Sequence, residues 1–414
     1  MYILLFMEQL VKEIGVHSET GLLKKVLIHR PDKGIERITP SNAVELLYED
    51  IVFHPKMLQE HNQLTKVVAN FIGKENVYEL ENLLAEVLRD ETVKTELLNQ
   101  LKLEEGITSD IEKKLLSLPE KTLVDVLITG MNFSSGEAFF DPVPSLIFTR
   151  DIGVVVGETL LLTKAAKKAR KRESLLCRYL FTHHSLFKGC RIIEPDWNGE
   201  EVSIEGGDIM MLEQGHVVTA LSERTSNKAI ENLVEGLLSA KIIEKVTVVT
   251  LPKLRYCMHL DTVFTKIDQA TYVGYAPIVC QEQKVPVKTY FRGKEKKATC
   301  LQELLKKIDK EACVIACGDG ISPYAEREQW TDGCNFFAIK NGVVINYDRN
   351  TRTNRALQAI GYKLITSEEL LQQFKEGLLP EEIEKTVITI PSSELSRARG
   401  GTHCMTMPLL RSSS

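Results

Sequence analysis

Apolar positions change their period along this chain, and the changes mark out its elements. After Gly21, the run Leu22-Leu23-Lys24-Lys25-Val26-Leu27-Ile28 ends in His29-Arg30-Pro31-Asp32, the pattern of a short strand entering a charged loop. Between Asn42 and Phe71 the apolar positions fall at mixed three and four spacing, which predicts a helix. From about Glu75 to about Val126 the character shifts. Leu80, Leu83, Leu84 and Val87 keep a helical period, as do Leu97, Leu98 and Leu101. Ser109 and Glu112 have capping-box spacing ahead of Leu115 and Leu116, and Pro119 stops that helix. Charge is abundant there and β-branched runs are scarce, so the segment reads as a small domain of several short helices.

After Asn132 the period returns to that of strands. Apolar runs appear at Leu146-Ile147-Phe148, Val154-Val155-Val156, Leu160-Leu161-Leu162, Ile209 to Leu212, Val246 to Val249, Val263-Phe264, Val314-Ile315 and Val343 to Ile345. Helical stretches separate them, at Ala165 to Phe181, Asn227 to Ser239, Leu301 to Asp309 and Ser367 to Phe374. Alternation of this kind predicts an α/β architecture. The division it suggests is residues 1–73 and 132–414 as a catalytic domain, with 74–131 as an inserted helical domain.

One feature recurs. Polar, reactive clusters sit directly before apolar strands: Arg150-Asp151, Glu205-Gly206-Gly207-Asp208, His259-Leu260-Asp261-Thr262, Asp332-Gly333-Cys334-Asn335 and Gly400-Gly401-Thr402-His403-Cys404. If each strand–helix unit is a pseudo-repeat about an axis, the clusters converge at one end. The economical expectation is a propeller-like arrangement around a central polar site.

Composition narrows the chemistry. The chain has 414 residues, 43% of them hydrophobic and 26% charged, both near the globular average, which excludes wholesale disorder. Lys and Arg number 52 against 57 Asp and Glu, so no basic surplus points to nucleic acid. Nine cysteines are too sparse for a disulfide-stapled secreted domain, and the cytosol is the better expectation. Met1 to Met7 lacks a basic n-region and is too short for a membrane span; it reads either as an extension upstream of a Met7 start or as an N-terminal strand or tail. No other stretch reaches transmembrane length, so no membrane partner is expected, while a homo-oligomer stays open.

Cys404, in the glycine-hinged Arg399-Gly400-Gly401-Thr402-His403-Cys404-Met405, is the leading nucleophile candidate. Its bland alternative is a small buried hydrophobe, the better reading for Cys313 and Cys317. His259 and Asp261 alternate at a strand start and so share a face, where an imidazole moves protons near neutral pH. Glu205 is placed to orient that imidazole or to hold a cation. His259, Asp261 and Cys404 also form a conceivable zinc set, but no paired thiols or imidazoles show zinc spacing, and no phosphate loop or dinucleotide fingerprint occurs. The pair His183-His184 falls at a helix end and reads as surface.

Taken in order, Val16-His17-Ser18-Glu19, Phe148-Thr149-Arg150-Asp151, Glu205-Gly206-Gly207-Asp208, Ser222-Glu223-Arg224-Thr225, Met258-His259-Leu260-Asp261-Thr262 and Arg399 to Cys404 resemble the signatures of bacterial arginine deiminases, from about Val16 to Leu410. The resemblance implies the five-fold pseudosymmetric α/β-propeller of guanidino-modifying enzymes with an inserted helical domain. It also implies conversion of L-arginine to L-citrulline and ammonia with no cofactor and no metal. On that analogy Asp151 and Asp261 grip the guanidinium, Cys404 attacks its carbon, His259 is the acid and then the base, and Glu205 sustains the imidazolium. Arg170, Arg224 and Arg399 serve the α-carboxylate end or the closing loop, and Phe148 covers the aliphatic stem.

The sequence departs from the pattern six residues before Asp151, where Ser145 stands in place of the family's asparagine. Loss of one neutral hydrogen bond costs ~1 kcal/mol, or up to about 3 if a group is left unpaired, and bears on substrate preference rather than on the core chemistry. The alternatives are another guanidino-modifying activity, such as dimethylarginine hydrolysis, a non-catalytic arginine-binding protein, or a zinc hydrolase.

Overall fold

The structure is a computed structural model, which describes residues 13–197, 202–280 and 285–412. The Met1 to Met7 run lies outside the described residues. The described residues build five sheets of three to five strands and a two-stranded ribbon. Each of the five sheets repeats one wiring: an antiparallel pair, then a parallel neighbour. Gly153–Val156 pairs antiparallel with Thr159–Leu162, and Arg191–Ile193 returns parallel to it. Ile209–Glu213, His216–Leu221 and Lys245–Thr250 follow the same rule, extended by Val287–Phe291 and Lys294–Ala298. So do Phe264–Lys266, Thr271–Gly274 and Cys313–Ala316, and again Phe337–Lys340, Val343–Tyr347 and Thr386–Ile390. In the fifth sheet the antiparallel partner comes from the far end of the chain: Met407–Arg411 pairs with Leu23–Ile28, and Val77–Glu79 lies parallel to the latter. A parallel return needs a crossover, and helices such as Lys171–His183, Asn227–Ser239 and Thr351–Ala359 provide it.

Local chemistry explains most element ends. Ser226 caps Asn227–Ser239 by accepting from the Ala229 amide, Asp90 caps Glu91–Glu105, and Gly106 ends that helix in the left-handed region. Thr366 and Glu369 form a capping box at Ser367–Lys375. Some boundaries differ from the sequence reading. The first long helix is His54–Ile72, not Asn42 onward; Pro55 occupies its first turn, and residues 42–53 form turns instead. Thr108, not Ser109, is the cap of Ser109–Leu116. Leu146-Ile147-Phe148 is no strand, because Pro144 starts a 3-10 turn over Pro144–Ile147. Cys313 is exposed whereas Cys317 is buried, and His184 is buried against Glu86 rather than on the surface.

Four helices, Leu80–Val87, Glu91–Glu105, Ser109–Leu116 and Glu120–Thr129, occupy the segment read as helical. Their buried Leu84, Leu98, Leu115 and Leu127 belong to one continuous core with Val155, Leu176 and Phe181. A second core gathers Val26, Phe148, Phe337, Ile388 and Cys404. Among the described residues, no helix is long and apolar enough to cross a membrane.

Candidate active site

The clusters that precede the strands fold as tight turns: Thr149–Ile152, Gly206–Asp208 and Leu260–Thr262 are all 3-10 turns. His259 and Asp261 therefore lie at a turn rather than in alternating strand register, yet both are buried at one site with Asp151, Glu205 and Cys404. Glycine allows this approach. A side-chain carbon on Gly207 would sit 2.8 Å from His259 Nδ1 and 2.9 Å from Asp151 Oδ1. Gly400 packs under the ring of Phe148 in the same way.

Two linked hydrogen-bond groups result. In the first, His259 Nε2 donates to Glu205 Oε2 at 2.9 Å, and its Nδ1 is 3.7 Å from Asp151 Oδ1. The Gly207 amide donates to Asp151 Oδ1 at 3.1 Å. Below, Asp208 accepts from the Leu260 amide and from the hydroxyls of Ser222 and Thr225, which fixes the turn that carries His259. In the second group, the Cys404 thiol donates to Asp261 Oδ2 at 3.3 Å, and His403 Nδ1 donates to the same oxygen at 2.9 Å. His403 Nε2 lies 3.3 Å from Glu19 Oε2. Asp261 Oδ1 is buried and without a hydrogen-bond partner.

Charge sets the protonation pattern. Burial alone depresses the His259 imidazole, but Asp151, the bond to Glu205 and nearby Asp208 outweigh it and raise it to about 9. Burial pushes the Glu205 carboxyl up, yet Arg170, His259 and Arg224 overcome this and hold it well below the usual carboxylate range. Burial favours the neutral acid at Asp261 too, but His403 and His259 prevail and lower it. The Cys404 thiol is pushed well above 9, first by burial and then by Asp261, Asp151 and Asp332. The sulfur is therefore protonated until positive charge enters beside it.

Arg170 is buried rather than on a helix surface: it ends the 3-10 turn Lys168–Arg170, where the predicted helix from Ala165 has not yet begun. Its Nη1 donates to Asp151 Oδ2 at 2.7 Å and to Glu205 Oε2 at 3.1 Å, and its Nε to Glu173 Oε2 at 2.9 Å. Arg224 Nη1 is 3.6 Å from Glu205 Oε2. Arg399, at φ 65°, stacks on Trp330 with its guanidinium carbon 3.4 Å from the ring centre and donates to the Trp330 carbonyl. Phe148, Arg170, Arg224, Arg399 and Ser145 all border one cavity with Asp151, His259 and Cys404. Its volume is about 20 Å³, far below the ~300 Å³ at which small-molecule pockets begin. A wider hollow of about 680 Å³ shares Leu47, Arg224 and Arg255 with it. A cavity of about 860 Å³ beside Asn227–Ser239 contains none of the candidate catalytic side chains, so size alone does not mark the chemistry.

Asp151, Glu205 and His259 each offer one ligand atom within 4.8 Å of the others, a spacing that suits a metal. That set differs from the one considered from sequence, since Asp261 and Cys404 belong to the neighbouring group. The Arg170 guanidinium bonds to both carboxylates, so the set is already satisfied by an organic cation.

All nine predicted site residues border or line this site. Sequence reasoning passed over Asn335, His403, Glu19 and Asp208. Asn335 and Asp208 lay within the recognised clusters, and Glu19 within Val16-His17-Ser18-Glu19; what was missing was a reason to prefer them over their neighbours.

The family model for arginine deiminase matches residues 129–411. Arginine deiminases of Borrelia duttonii and Bacillus cytotoxicus are 32% and 33% identical, over 97% and 96% of this chain and 99% and 98% of theirs. Among solved structures, a dimethylarginine dimethylaminohydrolase adduct with S-methyl-L-thiocitrulline is similar at TM-score 0.52 and 14% identity, over 93% of this chain and 99% of that one. Unliganded AgrE is similar at TM-score 0.52 and 13% identity; 94% of this chain is covered, and it spans about 40% of AgrE. These two likenesses show a shared mixed α/β fold.

Proposed function

The chain belongs to the arginine deiminase family, and from that premise we propose that it hydrolyses the guanidinium of L-arginine to L-citrulline and ammonia through a covalent bond to Cys404. The observation that carries this reading is a thiol, an imidazole and the Asp151 carboxylate lining one cavity, with Asp261 hydrogen-bonded to the thiol and Glu205 to the imidazole.

A guanidinium is resonance-stabilised and a poor electrophile, so position and charge must do the work. Asp151 holds one face of the cation, and the unpartnered Asp261 Oδ1 supplies an acceptor for another N–H. The cation beside Cys404 favours thiolate; the thiol proton is lost to solvent, and the thiolate attacks the guanidinium carbon. His259, protonated at neutral pH, gives its proton to the departing nitrogen, and ammonia leaves. Water then adds to the resulting S-alkylthiouronium carbon while His259 takes a proton; the C–S bond breaks as the adduct's hydroxyl proton passes to sulfur, releasing citrulline and restoring the thiol. Glu205 keeps the imidazole charged and aimed. Arg224, Arg399 and a displaced Arg170 bind the α-carboxylate end, and Phe148 covers the stem. The scheme employs neither metal nor cofactor.

The same reading extends to architecture and setting. Five repeats of one strand wiring, with polar clusters converging before the strands, support a five-fold α/β-propeller. We assign the described parts of 1–73 and 132–414 to it; of the segment 74–131 read as an inserted helical domain, Val77–Glu79 belongs to the propeller's fifth sheet, and the helices from Leu80 to Thr129 form the inserted unit. Cys177, Cys257, Cys300, Cys317, Cys334 and Cys404 are buried free thiols, which supports a reducing cytosol.

The test is formation of the ureido product, citrulline from L-arginine and dimethylarginine and N-carbamoylputrescine from agmatine, with chelator and with iodoacetamide. L-arginine should be the best substrate, chelators should have no effect, and Cys404→Ala should be inactive. Turnover by Cys404→Ala, or a preference for dimethylarginine, overturns the assignment.

A further inference from the structure

We propose that Asn335 is a catalytic residue of this reaction, the hydrogen-bond donor that anchors the Cys404 sulfur and holds it once its proton has left. The proposal rests on the thiol reading above.

Asn335 is fully buried and follows the helix Tyr324–Trp330 through a tight turn at Asp332, whose φ is 62°. Its carboxamide has no freedom of orientation. Oδ1 accepts from the His403 amide at 3.0 Å and from the Cys404 amide at 3.1 Å. Nδ2 must then face the other way, where it donates to the Asp261 carbonyl at 3.0 Å and to Cys404 Sγ at 3.1 Å. The opposite flip would set Nδ2 against two amide donors and Oδ1 against a carbonyl oxygen. Two further contacts lock the arrangement. Thr402 Oγ1 donates to the Asn335 carbonyl at 3.0 Å, and a side-chain carbon on Gly401 would lie 2.5 Å from Asn335 Oδ1. One neutral side chain thus ties the nucleophile's loop to the turn that carries Asp261.

The chemistry requires such a donor. Asp261, Asp151 and Asp332 face the sulfur and oppose a thiolate, while Arg399, which borders the same cavity and favours it, has its guanidinium stacked on Trp330. Among the described residues, the polar side-chain partners of Sγ are Asp261 Oδ2, which accepts the S–H, and Asn335 Nδ2, which donates. When the proton leaves, the first contact turns repulsive and the second strengthens, because a hydrogen bond to an ionised acceptor is roughly twice as strong. Asn335 does not titrate, so its effect must appear in the ionisation of the thiol and not in that of His259.

Asn335→Ala removes the donor without adding charge, and Asn335→Ser retains a shorter one. The readouts are the pH midpoint of iodoacetamide inactivation, kcat, KM and Tm. Loss of a hydrogen bond to a charged group should raise the inactivation midpoint of Asn335→Ala by about one to two pH units and lower kcat ~10–100-fold, with KM within about threefold. Asn335→Ser should fall between the two, and it carries the test alone if the alanine variant does not fold. A folded variant with an unshifted midpoint overturns the proposal, even where Tm and kcat both fall, because that is the signature of a merely structural role. Activity in Cys404→Ala sinks the thiol reading itself; an inactive Cys404→Ala beside an unshifted Asn335 variant sinks this proposal alone.

Discussion

Replacing Gly207 by alanine should lower turnover ~10–100-fold while leaving the protein folded. The added carbon would sit 2.8 Å from His259 Nδ1 and 2.9 Å from Asp151 Oδ1, about half an ångström short of the 3.4 Å at which ordinary contact begins. Nothing about the backbone forbids the residue, since Gly207 is not in the left-handed region. The two side chains must therefore give way. His259 is bonded to Glu205 at 2.9 Å and Asp151 to Arg170 at 2.7 Å, so moving them stretches bonds that set the geometry of the acid and of the guanidinium clamp. A displacement of 1 Å costs about 10²-fold in rate, and half of that with two groups affected should lower kcat ~10–100-fold. Overpacking costs roughly 1–3 kcal/mol, a fall of a few degrees in Tm. The neighbouring glycine provides the contrast. At Gly206 the new carbon would overlap the Arg150 carbonyl oxygen and lie 2.7 Å from Val154 Cγ2. A backbone atom cannot rotate away, so Gly206→Ala should lose the fold itself. Citrulline assays and thermal melts on both variants separate the cases. A folded Gly207→Ala with kcat within twofold of wild type would show that the positions of His259 and Asp151 do not govern the reaction.

Three further outcomes follow from the same contacts. With an unfolded pKa of 6.5 and a folded value of about 9, His259 contributes stability that is complete below pH 6.5 and lost as pH rises through 9. Chemical unfolding across that window should weaken by on the order of 3 kcal/mol, and His259→Gln should flatten the slope; an equal slope in both removes His259 as its source. Arg170→Ala leaves buried Glu173 without its cation and Asp151 and Glu205 with only His259 and, for Glu205, Arg224, and should cost ~3–5 kcal/mol in unfolding experiments. Gly236 lies inside Asn227–Ser239 with open space where a side chain would go, so Gly236→Ala should gain about 0.5–1 kcal/mol with unchanged kcat, and a loss of activity there would mean that the helix communicates with the site.

Much of the site was readable because it is written in short local signals. A Gly-Gly pair marks close approach of backbone to a reactive group, and both Gly206-Gly207 and Gly400-Gly401 do serve that purpose. Strand periodicity located the sheets because their inner residues are buried on both faces, as at Gly153–Val156. The failures have physical causes as well. Leu146-Ile147-Phe148 is as apolar as any strand, but Pro144 imposes a turn that hydrophobicity does not report. The 42–53 segment has helical spacing yet forms turns and irregular chain, since Ala43, Leu46, Tyr48 and Val52 reach the second core without a helix and satisfy the same pattern. Asn335 was invisible as a functional group because an asparagine after Asp-Gly-Cys is ordinary turn chemistry. Its value lies in where a chain segment about seventy residues later, carrying His403 and Cys404, comes to rest.

Arg170 carries the last step of the reasoning about substrate. Its guanidinium bonds to Asp151 and Glu205, which are suited to the substrate's own guanidinium, and the cavity that remains is too small for an amino acid. Arginine as substrate is then a competitor for a place that the protein already fills with the same functional group. Exchange of one guanidinium for another would leave the local charge unchanged and the thiol protonated. Deprotonation of Cys404 becomes favourable only if the displaced Arg170 stays nearby, with Ser145 and Arg224 at the cavity wall, so that two cations share the pit. A carboxylate on the substrate gives Arg170 a reason to stay, and agmatine, which lacks one, does not. The expected signature is a loss in kcat, and not only in KM, when the α-carboxylate is absent. Equal kcat for arginine and agmatine would mean that Arg170 leaves the site altogether and that the thiol is ionised by other means.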